Sequence, residues 1–206
     1  GNYAEAMGDA TMWTTLWHTI LFTVMSTIPL VLLALVMALL VYIGIPGQWF
    51  WRLAFFAPYL LPVAVVVQVW TWLFNSDVGF VNYWLQQLGL DAVGWLTDVD
   101  VAMWSIVILT VWWTVGFNFL LYLSSLQAIP DLLYEAAEVD GAGFWRKLWS
   151  VTLPQLRGTT VLVVTLQVIA SLKIFDQMFI AFSGGSGPEG STRPILQYIY
   201  DTGFTN

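Results

Sequence analysis

Residues 10–51 contain no Asp, Glu, Lys or Arg. A helix crosses the hydrocarbon of a bilayer with about 20 apolar residues, and backbone in lipid must satisfy its own hydrogen bonds. This run therefore predicts a spanning helix over roughly 13–43, long enough to tilt. Pro29 falls inside it, which a membrane helix tolerates with a kink. Gly44, Pro46 and Gly47 then mark a turn. The rest of the chain agrees with a lipid solvent. Only 9% of its residues are charged and 59% are hydrophobic, whereas soluble domains carry about a quarter charged residues.

Three further apolar runs follow. The second span is read over roughly 50–74, where Pro58 and Pro62 predict a bend or an irregular start, and the third over roughly 101–127. The fourth covers roughly 155–182, interrupted by Lys173 and Asp176. A polar loop over 75–100 carries Asp77, Asp91, Asp98 and Asp100, with a short amphipathic piece at 80–88. A glycine-rich loop (183–191) and a short segment (193–204) close the chain. Most of the 13 tryptophans lie near the ends of apolar runs, at the depth amphipathic rings prefer.

The net charge of −7 argues against nucleic acid as a partner. The acids cluster in loops and read as loop solvation. Without cysteine, neither disulfides nor thiolate metal sites are possible. His18 is the only histidine, so a metal site is not expected. The glycine-rich loop lacks a GK[ST] ending and carries no phosphate cradle, and no ATPase motif is present.

Orientation follows from basic residues in the loops. Arg52, Arg146, Lys147 and Arg157 lie on one side and Arg193 on the other. The 128–155 connection is then cytoplasmic, and the N-terminus and the 75–100 loop are outside. That connection reads EAAEVDGAGFWRKLWSVTLP over 135–154. Pro130 and Asp131 suit a first helical turn. Leu132, Leu133, Ala136 and Ala137 share one helical face, Gly141 and Gly143 break the pattern, and Phe144, Trp145, Leu148 and Trp149 repeat it. The pattern predicts two short helices and a turn outside the bilayer, which on composition alone is a hairpin resting on the membrane surface.

The stretch is similar to the coupling-loop pattern of binding-protein-dependent ABC importers. Glu135-Ala136-Ala137 is followed after three residues by Gly141, and after nine more by Val151-Thr152-Leu153-Pro154, where the family pattern has isoleucine in place of Val151. Ala57-Pro58-Tyr59, Phe74-Asn75, Gln127-Ala128-Ile129-Pro130, Phe175-Asp176 and the glycine-rich loop resemble the sugar-permease branch, which includes maltose and glycerol-phosphate permeases.

The resemblance implies an all-α membrane protein with the type I importer transmembrane fold. Over residues 1–206 it shows four spans of a core of about six, as a fragment lacking the first and last. It implies alternating access driven by a cytoplasmic ATPase dimer that binds ATP and magnesium, with no cofactor in this chain and no enzymatic activity of its own. Its implied partners are a second, related permease, an extracytoplasmic solute-binding protein and a sugar-like substrate, all at a prokaryotic plasma membrane. Glu135, Ala136, Ala137, Asp140, Gly141, Leu153 and Pro154 would carry the contact with the ATPase.

Polar side chains inside spans mark pathways by default. Thr110, Thr114 and Asn118 recur at i, i+4 and i+8 beside Trp113 and Phe117, and Gln167 and Ser171 recur at i and i+4. By gapless alignment from Glu135, all but Asn118 match positions that contact sugar in the maltose permease, mostly with other residue types. The two stripes can line one cavity. They can equally hydrogen-bond between helices, each bond worth about 0.6 kcal/mol. Lys173 and Asp176, near the outer end of span four, can pair on one helix face or form an outer gate. An ABC permease for a non-sugar solute fits the same pattern. An ion-coupled secondary transporter would leave the hairpin unexplained, and an intramembrane enzyme would need a reactive cluster that the spans lack.

Overall fold

The computed structural model describes residues 7–205, and among them every regular element is helical. Helix α1 (Ala10–Ile43) runs past Pro29 without ending. Its hydroxyls bond its own backbone: Thr19 Oγ1 donates to the Thr15 carbonyl and Thr23 Oγ1 to the Thr19 carbonyl. This satisfies the hydroxyl donors without a partner helix. Gly47, at φ 76°, begins α2 (Gln48–Leu60), which tightens into a 3₁₀ turn at Ala57–Leu60.

Helix α3 (Val63–Leu73) follows as a separate helix. The second span is therefore two helices broken at Leu61-Pro62, because Pro62 is extended (ψ 141°) and residues before a proline disfavour the helical region. α4 (Phe80–Gln87) occupies the loop, and α5 (Val99–Gln127) is the third span. Among the described residues, two helices, α1 and α5, are each long and apolar enough to cross a membrane, or up to four spans if each bent pair is counted as one.

α6 (Asp131–Val139) and α7 (Phe144–Gln155) form the hairpin, with α7 holding a π turn at Leu148–Thr152. Pro130 stands just before α6, extended at ψ 131°, and not inside the first turn. The second arm is also longer than the aromatic pattern indicated. It runs to Gln155 and bends by 60° into α8 (Arg157–Leu172). α8 stops at Leu172, and Asp176 begins a separate helix, α9 (Asp176–Ala181); α10 (Ile195–Tyr200) follows the glycine-rich loop. The reading of Lys173 and Asp176 as a pair on one helix face is thus corrected. The helix ends before both, both are exposed, and no ion pair joins them.

The chain divides into two compact units. Among the described residues, the first comprises 7–27, 61–113 and 168–205, and the second 28–60 and 114–167. In the first unit Phe22, Met103, Ile106, Val107, Ile174 and Met178 form one buried cluster, and Val66, Val67 and Leu109 form another. Its polar loop is tied by the buried Asn82. The Asn82 amide donates to the Val93 carbonyl (2.9 Å) and accepts from the Trp95 indole (2.9 Å), while Trp95 stacks on Phe74. In the second unit Leu30, Ala34, Ala38 and Val41 make a fully buried stripe on α1.

Candidate functional site: intramembrane polar groups and a helical hairpin

The stripe read from sequence divides between the two units. In the first, the Thr110 hydroxyl donates to the Ile106 carbonyl of its own helix (2.7 Å). The Trp113 indole donates to the Leu61 carbonyl (3.1 Å), just before Pro62. Ser171 shares a 3.2 Å bond with Ser26 of α1.

In the second unit the Asn118 amide donates to Gln167 Oε1 at 3.2 Å, joining α5 to α8. Both residues are buried. Phe117 stacks on Tyr59 of α2, with centroids 5.3 Å apart. Thr114 is half-buried one helical turn before Asn118. Sequence brought out these polar groups but not what lets α2 and α5 meet. A β-carbon on Gly116 would lie 2.2 Å from the Phe55 carbonyl oxygen, so only glycine fits there. An isolated glycine in an apolar helix was the available signal.

The hairpin lies wholly within the second unit. Asp131 sits in the first turn of α6, where an acid complements the helix dipole. The Ala142 amide donates to the Ala137 carbonyl (2.8 Å), closing the helix end, with Gly141 at φ 73°. That left-handed conformation explains the glycine. Gly143 is extended and needs none.

Lys147 donates to Glu138 at 2.7 Å across the turn, which holds the Glu138 carboxyl below its usual range. Glu135, Ala136 and Asp140 are exposed and Ala137 is half-buried. Leu132 (71%), Val139 (89%), Trp145 (69%) and Trp149 (68%) are also exposed. An uncovered apolar and aromatic surface of this kind marks an interaction site. A hollow of about 300 Å³ opens between the arms, lined by Leu133, Ala136, Ala137, Asp140, Arg146 and Val151 among others. The two alanines border it, and larger side chains there would fill it.

His18 Nδ1 lies 3.3 Å from the Arg193 carbonyl, and among the described residues no group of three or more His, Cys, Asp or Glu side chains could hold a metal ion. The C-terminal segment is held to the start of α1. Tyr198 donates to Asp9 (2.7 Å), and the Ile195 amide donates to Thr19 Oγ1 (2.9 Å).

Residues 12–206 match the family described as binding-protein-dependent transport system inner membrane component. The chain belongs to that family. Like the other inner membrane components, it is a multi-pass protein embedded in the membrane. It is 35% identical, over 79% of its length, to the sulfoquinovosyl glycerol transport system permease protein SmoG of Agrobacterium fabrum, covering 52% of that protein. It is 34% identical, again over 79% of its length, to the trehalose/maltose transport system permease protein MalF of Thermococcus litoralis, covering 55% of that protein.

The chain thus spans about half the length of these relatives. A solved bacterial ABC transporter for the acidic polysaccharide alginate contains a chain of the same fold, with a TM-score of 0.85 at 21% identity over 98% of this chain and 71% of that one. The overall fold of this inner membrane component agrees with the all-α importer architecture expected from its sequence.

Proposed function

We propose that this inner membrane component is a pathway subunit of an ATP-driven importer for a sugar or sugar-like solute. The observation that carries the reading is the hairpin. Ala136, Ala137 and Asp140 border an open hollow between the arms, beside the exposed Glu135 and Gly141. Two of its relatives, SmoG and MalF, are described as permease proteins of sulfoquinovosyl glycerol and trehalose/maltose transport systems, which supports the sugar class.

In this reading the hairpin faces the cytoplasm and docks on an ATPase dimer, which binds ATP and magnesium. Glu135, Asp140 and the small Ala136 and Ala137 meet the ATPase, Gly141 sets the turn, and Leu153-Pro154 carry the arm back toward α8. Closure of the ATPase rocks the spans from inward-facing to outward-facing. Thr110, Trp113, Thr114, Phe117, Asn118, Gln167 and Ser171 supply the amide, hydroxyl and aromatic groups that suit a sugar's hydroxyl rim and apolar faces. Lys173 and Asp176 mark the outer gate. A second, related permease completes the pathway, and an external solute-binding protein delivers the substrate.

Purification in mild detergent with mass spectrometry of the co-purified proteins tests the assembly. Recovery of an ATPase, a second permease and a solute-binding protein is the expected result. Recovery of this chain alone from membranes active in uptake would refute it.

A further inference from the structure

The two arms of the hairpin are joined by two side-chain links. Tyr134 Oη lies 3.0 Å from Thr152 Oγ1, and Lys147 Nζ lies 2.7 Å from Glu138 Oε1. On α6 the linked residues, Tyr134 and Glu138, are four apart and so share one face of an α-helix. On α7 their partners, Lys147 and Thr152, are five apart. Five residues of α-helix turn through about 500°, which would place the two on different faces. α7, however, is a π turn over Leu148–Thr152, in which the Leu153 amide bonds the Leu148 carbonyl. With i→i+5 bonding, residues five apart lie one turn apart. The π turn therefore brings Lys147 and Thr152 into line, and both links meet α6 in register.

The links differ in strength. The Glu138–Lys147 pair is exposed at its acidic end, where water and salt screen it. Thr152 is 5% exposed, and its hydroxyl bond to the half-buried Tyr134 is less open to water. Tyr42, the penultimate residue of α1, also interacts with Tyr134. We infer that Tyr134 and Thr152 are positioning residues: their bond holds the π register of α7, so that a displacement of α6 is carried rigidly through α7 to α8. This rests on the proposed docking of the hairpin on an ATPase. The bond touches neither substrate nor nucleotide.

Residues 1–206 contain no cysteine, so once any cysteines elsewhere in the transporter are replaced, paired nitroxide labels report on this hairpin alone. With labels at Asp131→Cys, exposed in the first turn of α6, and Val161→Cys on α8, electron–electron distance distributions are measured on the full transporter bound to its ATPase. Each sample is measured with and without Mg-ATP and vanadate. The labelled but otherwise unsubstituted protein gives a narrow distribution that stays narrow on trapping. Thr152→Ser, which keeps the hydroxyl, behaves the same, whereas Thr152→Val and Tyr134→Phe broaden it in both states while the ATPase still co-purifies.

Distributions as narrow in Thr152→Val and Tyr134→Phe as in the unsubstituted protein overturn this inference and leave the docking reading standing. Absence of any ATPase from the unlabelled, unsubstituted transporter overturns the docking reading, and this inference with it.

Discussion

Gly116 of α5 presses against the backbone of Phe55 in α2, so closely that a β-carbon at 116 would meet the Phe55 carbonyl oxygen at 2.2 Å and the Phe56 Cα at 2.8 Å. The obstacle is backbone, which cannot step aside as a flexible side chain can. Alanine is the better helix former by about 1 kcal/mol, but overpacking at a fixed crossing costs about 1–3 kcal/mol. Gly116→Ala is therefore expected to lower the thermal midpoint of the detergent-solubilised protein. An unchanged or raised midpoint would mean that the two helices separate easily.

Asn118 and Gln167 make a second crossing-point prediction. Leaving one buried amide without its partner costs about 1–3 kcal/mol, whereas replacing both partners by apolar groups is nearly neutral. Asn118→Leu and Gln167→Leu should each destabilise more than the double variant does. Uptake should nonetheless fall in the double variant, because the pathway loses both amides. A stable double variant with unchanged uptake kinetics would leave the pair a purely structural bond.

The hollow of the hairpin makes a steric prediction. Ala137→Leu fills it from one side and leaves the Gly141 turn intact. ATPase binding should weaken without loss of membrane insertion. Gly141→Val instead strains the turn, since a β-branched residue at φ 73° costs on the order of 1–3 kcal/mol, and should also uncouple hydrolysis from transport. Both are read as solute moved per ATP hydrolysed. Normal ratios in both variants would remove the hairpin from coupling.

The contact between Asp9 and Tyr198 gives a pH dependence. The Tyr198 hydroxyl, donating to Asp9, holds that carboxyl below its ordinary range, and the same bond raises Tyr198 above its own. A lowered carboxyl stabilises the fold above the unfolded carboxyl range and loses this as pH falls through the lowered folded value. A raised phenol stabilises it below its ordinary value of about 10 and loses this as pH rises through the raised one. Hydrogen exchange over residues 195–200, corrected for intrinsic rates, should show protection falling at both extremes. Asp9→Asn should abolish the acid limb. An acid limb unchanged in that variant would assign it to another group.

The sequence showed most of what depends on a repeating pattern. The charge-free run gave α1 within a few residues, because nothing but a helix satisfies that much backbone in lipid. The glycine-broken, twice-repeated apolar face gave the hairpin arms. What escaped it depends on contacts between distant residues or on local backbone choice. The prolines marked a bend in the second span, but the close approach of α2 to Gly116 depends on residues some sixty positions apart. Lys173 and Asp176 have the spacing of a helical pair, but the helix ends at Leu172. Asn118 and Gln167 were both visible as polar residues in spans, yet only packing shows that they bond each other. The π turn has no counterpart in an apolar-period reading, which assumes 3.6 residues per turn throughout.

A photo-crosslinking residue at Val139, the most exposed position named on the hairpin at 89%, tests the central claim most directly. After irradiation of native membranes active in uptake, the adduct is identified by mass spectrometry. The account predicts that Val139 is crosslinked to an ATPase subunit, and that the yield changes with Mg-ATP and vanadate. An adduct with the solute-binding protein, or no ATPase adduct in membranes that still take up solute, would contradict it.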